Sequence, residues 1–356
     1  MKRRLRYLLR LPGRIWRLIT QRGVPALFFL ASFLRSPRQA VVVWPGDDFR
    51  LASRVAIFIH FDRRGAVRAD VLNYVSALHA LGLSVVFVTN SGRLRPEAMA
   101  ALQPLCAAVI VRRNVGYDFG AMREAIERAG LPRADTEMVL LVNDSVYGLL
   151  QPLGPIMERF DFAQADLWGL TESWQTRYHL QSYFVAFGRP ALTSRTWAEF
   201  WQSVRPVSSK WWVILHYEVG LTQRFLRVGL RARAVWGYHE LVRQVTAPEH
   251  VQVMEGEEVD DDGYPVMYDA MLKGRLVQVR HIRAAVSAGL PLNPTSDFWR
   301  QLLQTGYPFI KRELLRFNPT IVGDVADWRD VVRECSSADL GAIERDLQRA
   351  MYDRTP

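Results

Sequence analysis

Cysteine is nearly absent: the 356 residues hold two, Cys106 and Cys335, too few for a disulfide framework or a cysteine-built zinc site. Long apolar runs are absent as well. No stretch reaches the 18 or so apolar residues of a spanning helix, which excludes a transmembrane protein on a simple reading. Neither an internal repeat nor a low-complexity tract is found. The third absence is local. Residues 1–38 contain no Asp or Glu, yet they carry ten basic side chains: Lys2, Arg3, Arg4, Arg6, Arg10, Arg14, Arg17, Arg22, Arg35 and Arg38. Subtracting those ten from the chain's 46 Lys and Arg leaves 36, equal to its 36 Asp and Glu. The net charge of +10 is therefore a property of one end. The neutral body excludes the basic domain expected of a nucleic-acid binder, so no nucleic-acid partner is expected. What remains is 49% hydrophobic and 23% charged, a globular composition long enough for one large or two ordinary domains.

In the basic segment, Leu5, Leu8, Leu9, Ile15, Trp16 and Ile19 fall near a helical repeat between arginines, with Pro12-Gly13 dividing it. Such a helix lies on an anionic membrane surface. Val24 to Leu34 follows as an apolar stretch of 11 residues, roughly 16 Å as a helix and so about half a bilayer core. A signal peptide is the rival, but no small-x-small cleavage site precedes Arg35. The expectation is a cytoplasmic protein attached peripherally to the inner face of the cell membrane through residues 1–38.

Beyond a linker or edge segment at 39–53, strand and helix signals alternate. Apolar strands are expected at 54–61, 84–89, 107–111 and 138–142, with helices at 69–81, 95–105 and 120–129. Four such strands imply right-handed βαβ units, hence an α/β fold with a mainly parallel central sheet covered on both faces. Ligands then sit beyond the strands' carboxyl ends. Those ends read His60-Phe61-Asp62, Thr89-Asn90-Ser91, Arg112-Arg113-Asn114 and Asn143-Asp144-Ser145, all polar. Past residue 150, strands are expected at 168–171, 183–187 and 230–236, and helices at 195–204 and 217–228. Residues 255–263 read as a solvated acidic loop without the spacing of a calcium site, and 293–356 as a helical tail.

Three clusters carry chemistry. Arg112 to Gly120 combines two glycines and two arginines at a helix start, a setting for phosphate; Asp118 there also suits a cap. Asp144, directly after a buried strand, suits a divalent cation, Mg²⁺ or Mn²⁺, bridging two phosphates, or else a turn. Glu218 in His216-Tyr217-Glu218 suits a general base or a cap. Trp168, Trp174, Tyr178, His179, Tyr183, Trp211 and Trp212 suit a sugar cleft or ordinary core packing.

The string Arg113-Asn114-Val115-Gly116-Tyr117-Asp118-Phe119-Gly120 resembles the hallmark of the rhamnan synthesis protein F family. Asn143-Asp144-Ser145, residues 168–173, His179-Leu180-Gln181-Ser182-Tyr183-Phe184 and residues 217–222 resemble further family blocks, as do Asn293-Pro294-Thr295 and residues 308–315. The resemblance runs in order over about residues 54–320. It implies a bacterial surface-polysaccharide glycosyltransferase, often of rhamnose, with a GT-A-like nucleotide-sugar fold. The expected layout is a transferase domain at 54–290, with a nucleotide-binding half at 54–150 and an acceptor half at 151–290, then a helical tail at 291–356.

By position, the resemblance implies that Glu218 is the base of an inverting transfer and that Asp144 holds the cation. His60, Asp62, Asn90, Arg113, Asn114, Gly116, Asp118 and Asn143 would meet a nucleotide-sugar donor. Trp168, Glu172, His179, Gln181 and Tyr183 would meet a glycan or lipid-linked acceptor. Asn143-Asp144-Ser145 departs from the family of Asp-x-Asp signatures by holding a single acid, and Glu172 and Asp118 are rival carboxylates for the base. The single acid also supports a competing reading, a non-catalytic glycan-assembly scaffold on a degenerate transferase fold. A phosphatase-like hydrolase is disfavoured, because Asp62-Arg63-Arg64-Gly65 lacks the Asp-x-Asp-x-Thr pattern.

Overall fold

The computed structural model describes residues 23–46, 49–246 and 270–352. The expected helices before residue 23 and the acidic loop at 255–263 lie outside the described residues.

Eleven strands are formed among the described residues: β1 (Ala40–Trp44), β2 (Arg54–His60), β3 (Ser84–Thr89), β4 (Ala108–Arg112), β5 (Met138–Asn143), β6 (Val146–Tyr147), β7 (Leu167–Ser173), β8 (His179–Leu180), β9 (Phe184–Gly188), β10 (Ala232–Trp236) and β11 (Ile310–Lys311). The main sheet runs β1-β4-β3-β2-β5-β9-β7-β10, with β8 off the path against β7. Neighbours β4, β3, β2 and β5 are parallel, as are β7 and β10. Strand β9 lies antiparallel between β5 and β7, so one sheet carries the strands from both sides of residue 150. The segment at 39–53 supplies β1, an antiparallel edge strand on β4.

Side chains alternate across this sheet, as the period of two requires. Ala56, Phe58, Val85, Phe87, Leu140 and Val142 face one core; Val55, Ile57, Val86, Val88, Val139 and Leu141 face the other. Helix α1 (Ala69–Ala80) covers the first face and helix α2 (Tyr117–Ala129) the second. The chain thus winds outward from β2 through β3 to β4, then returns to the far side of β2 as β5. The gap between β2 and β5 is a topological switch point, where open α/β sheets bind ligands.

The C-terminal tail is helical as expected, but it is also part of the main core. Phe298, Trp299, Leu302, Phe309, Trp328 and Val331 pack into the first core. Its one short strand, β11, pairs with β6, matching Lys311 to Val146. Gly148 permits the approach, since a Cβ there would lie 2.6 Å from Phe309.

Helix α2 begins where Gly116 takes φ +85° and ends at Gly130 with φ +60°. The loop before it is held by a buried ion pair. Arg112 Nε donates to Glu124 at 3.0 Å and Arg112 Nη2 to the Val115 carbonyl at 2.9 Å. Glu124 also accepts the backbone N–H groups of Gln39 and Ala40, both at 2.9 Å, which seats the β1 edge. Arg112, expected beside phosphate, is instead fully buried and committed to this structural network. Burial of that depth favours paired, hydrogen-bonded charges, because an isolated one is costly.

Candidate functional site

A cleft of about 740 Å³ opens at the carboxyl edge of the sheet, within the range of small-molecule and cofactor sites. The start of α2 supplies Tyr117 and Asp118, and the end of β5 supplies Asn143 and Ser145. The segment around β8 supplies His179, Gln181, Ser182 and Tyr183. The helix from Lys210 supplies Trp211 and Glu218, and the tail supplies Asn293, Lys311, Arg312 and Phe317.

Glu218 lies at the last position of a π-helical turn, Val213–Glu218, inside an otherwise α-helical run. Wide turns of this kind occur frequently at functional sites. Its Oε1 accepts the Ser182 backbone N–H at 3.1 Å and the Ser182 hydroxyl at 3.0 Å, which fixes the carboxylate at the wall. Asp118 lines the same cleft, with Oδ2 accepting from Asn143 Nδ2 at 2.9 Å. Burial pushes the Asp118 carboxyl up to about 6, and the nearby Asp144 charge adds to the rise; the Asn143 hydrogen bond and Lys311 oppose it.

Asp144 is held behind the wall by two guanidiniums. Its Oδ2 accepts from Arg68 Nη1 at 3.4 Å and from Arg312 Nη1 at 3.2 Å, and Arg312 also reaches its carbonyl at 3.1 Å. Among the described residues no group of three His, Cys, Asp or Glu is placed to hold a metal. Asp144 does not line the cleft and its Oδ2 is committed to two guanidiniums, so a cation such as Mg²⁺ or Mn²⁺ would depend on oxygens from a bound diphosphate to complete its shell.

The remaining expected residues divide by position. His179, Gln181 and Tyr183 line the cleft. Gln181 accepts from Thr171 at 2.7 Å and donates to Asn293 at 3.1 Å, and Tyr307 donates to the Tyr183 hydroxyl at 2.7 Å. Tail and sheet are thereby joined beneath the floor. Trp168 is buried instead against Phe160, their rings 6.0 Å apart, and its indole N–H donates to the Asp161 carbonyl. Glu172 accepts from Tyr178 and from the Tyr238 backbone, both at 3.0 Å, and does not line the cleft.

Of the residues expected to meet a nucleotide, His60 is fully buried, with Nδ1 3.1 Å from Thr89 Oγ1 and Nε2 without a hydrogen-bond partner among the described residues. Burial holds its imidazole below the usual histidine range. Asp62 caps its own loop by accepting from the Arg64 and Ala66 backbones. Asn90 is buried against Arg112. Arg113 and Asn114 are exposed on the loop that Gly116 closes. The sequence alone assigns no role to Arg68, Lys311 or Arg312. The only signal for the last two was their place in the 308–315 block; charged residues in a tail otherwise read as solvated.

Compared with known proteins, the model of the family described as rhamnan synthesis protein F matches residues 85–266. The chain is 28% identical over 219 residues to the virulence protein VirA of Vibrio anguillarum, covering 60% of this chain and 64% of VirA. It is 25% identical over 197 residues to the uncharacterized protein y4gN of Sinorhizobium fredii, covering 54% of this chain and 51% of that one. The match therefore spans less than two thirds of each of these relatives. Among solved structures it is similar to a mannosyltransferase of Pyrobaculum calidifontis in complex with GDP-Man and Mn²⁺, at TM-score 0.34 and 11% identity, covering 96% of this chain and 91% of that one. It is also similar to a glycosyltransferase involved in glycosylation of the major capsid of PBCV-1, at TM-score 0.30 and 13% identity, covering 65% and 99%.

Proposed function

The chain belongs to the rhamnan synthesis protein F family, and from that membership we propose that it is a glycosyltransferase of bacterial surface-polysaccharide synthesis. In this reading it moves a sugar, rhamnose or another deoxyhexose, from a nucleotide-sugar donor to a glycan or lipid-linked acceptor with inversion. The observation that carries the reading is the cleft itself, in which Glu218, Asp118 and Asn143 meet at the carboxyl edge of the sheet.

Glu218 is assigned as the base. It takes the proton of an acceptor hydroxyl as that oxygen bonds to the anomeric carbon. The bond from that carbon to the diphosphate breaks, and its electron pair leaves with the nucleoside diphosphate. Two hydrogen bonds from Ser182 to one carboxylate oxygen orient the group for this. Asp118 and Asn143 are assigned to the donor. His60, Asp62 and Asn90 are proposed to shape the strand-end loops around the nucleotide, and Gly116 to close the loop by which Arg113 and Asn114 cover it. His179, Gln181 and Tyr183 form the acceptor side, with Trp168 and Glu172 supporting it from behind. If Mg²⁺ or Mn²⁺ enters with the donor, Asp144 is the acid that would hold it together with diphosphate oxygens, in competition with Arg68 and Arg312, and the ion's charge would offset that of the leaving group.

A thermal-shift panel of UDP-, GDP-, dTDP- and CDP-sugars, with and without Mn²⁺, tests the donor class. Ligands that bind only the native state raise its apparent stability. At least one is expected to raise the melting temperature, and a panel with no response in either condition counts against a donor site.

A further inference from the structure

Lys311 lies on the cleft wall without an ion-pair partner among the described residues. Its Nζ donates to Ser145 Oγ at 2.9 Å and stands 5.1 Å from the Tyr183 ring centroid. Among the described residues no carboxylate comes within ion-pair distance of it, while the neighbouring Arg312 pairs with both Asp144 and Asp346. Glu218, Glu313 and Asp118 act on it from farther away, with Lys210 opposing them. Burial disfavours its charged form and holds the ammonium below the usual lysine range, against the pull of those three carboxylates, so an anion bound beside Nζ would favour the ammonium.

The fold delivers this charge to a defined place. Pairing of β11 with β6 sets Lys311 opposite Val146, just past Asn143 and Ser145 at the end of β5. Arg312 anchors the delivery through Asp144 and Asp346, and its buried Nε has no hydrogen-bond partner among the described residues. An ammonium on a tethered stem is a point-charge ligand for phosphate.

We propose that Lys311 binds the diphosphate of the sugar donor and stabilises it as a leaving group, so that the tail, outside the matched span of 85–266, completes the donor site. The inference rests on the transferase reading above. As the anomeric carbon–oxygen bond breaks, its electron pair passes to the terminal phosphate oxygen. An N–H of Lys311 donates a hydrogen bond to that oxygen, and the ammonium keeps its proton. Arg312 is a positioning residue for Lys311.

The test is isothermal titration of the full chain with UDP, GDP, dTDP and CDP, each beside its nucleoside, in EDTA and again in Mn²⁺. The wild type is expected to bind one nucleoside diphosphate in EDTA at least tenfold more tightly than the nucleoside. Lys311→Met keeps an apolar stem over Tyr183 and should abolish that preference, while Lys311→Arg should retain most of it. If Lys311→Met does not fold, Ser145→Ala, which frees Nζ, should reduce the preference severalfold. A preference undiminished in the foldable variants, or one that appears only with Mn²⁺, overturns the proposal and leaves the transferase reading standing. No binding of any nucleoside diphosphate in either condition removes both.

Discussion

A carboxyl group in the first turn of a helix is ordinarily favoured in its charged form by the helix dipole, yet burial outweighs this at Asp118 and pushes it up to about 6. An unfolded Asp titrates near 4. Between those values the folded protein keeps a proton that the unfolded chain has lost. Stability from this group is therefore present at low pH, falls as pH rises from about 4 to 6, and stays reduced above that. Asp118→Asn retains an acceptor for Asn143 and removes the titration. It should be more stable than the wild type by on the order of 2 kcal/mol at pH 7.5, with the difference gone by pH 4. Urea melts of both proteins at the two values check this; a difference independent of pH would contradict it. At this scale the sequence was partly informative. An acid after a strand and a Glu within a helix could be picked out as Asp144 and Glu218. That Asp144 would be clasped by Arg68 and Arg312 depends on residues 76 and 168 positions away, and no local pattern encodes such a meeting.

Elements with a strong period were legible. Strands β2, β3, β4 and β5 fall within a residue or so of the expected bounds, because full burial on both faces demands continuous apolar runs. The expected helix at 120–129 starts earlier, at Tyr117, because Gly116 in the left-handed region turns the chain into it. Strand β11 was not legible: two residues carry no period, and it exists through its pairing with β6. Gly116 makes a prediction at this scale. A Cβ there would lie 2.8 Å from Pro206 Cα, on a backbone of positive φ. Gly116→Ala should lower stability by about 2–4 kcal/mol through strain and overpacking, read as a lower urea midpoint. An unchanged midpoint would mean that the loop before α2 is not as tightly fitted as its geometry indicates.

Across the whole molecule, the charge asymmetry acquires a structural neighbour. After the basic run comes a helix, Val24–Ala31, whose Leu27 and Leu30 are 66% and 62% exposed, with Leu34 beyond it at 92%. Its Phe29 stacks on Trp212 at 4.6 Å, and Trp212 on His216 at 3.9 Å, two residues before Glu218. No helix among the described residues is long and apolar enough to cross a membrane. An exposed apolar face that follows a basic run in sequence would suit attachment to an anionic surface, and attachment there would set the cleft near a lipid-linked acceptor. Leu27→Ser combined with Leu30→Ser should leave the melting temperature nearly unchanged and reduce cosedimentation with vesicles of anionic phospholipid severalfold. Undiminished cosedimentation would refute the role of this face.

The central claim is that the cleft transfers sugar with Glu218 as base. Release of nucleoside diphosphate from a panel of nucleotide sugars, with bacterial membranes as the acceptor source, tests it in one assay with wild type and Glu218→Gln side by side. One donor is expected to be consumed by the wild type, and Glu218→Gln is expected to be slower by roughly a hundredfold or more while still binding that donor. Consumption at equal rates by both proteins, or of no donor by the wild type, would contradict it.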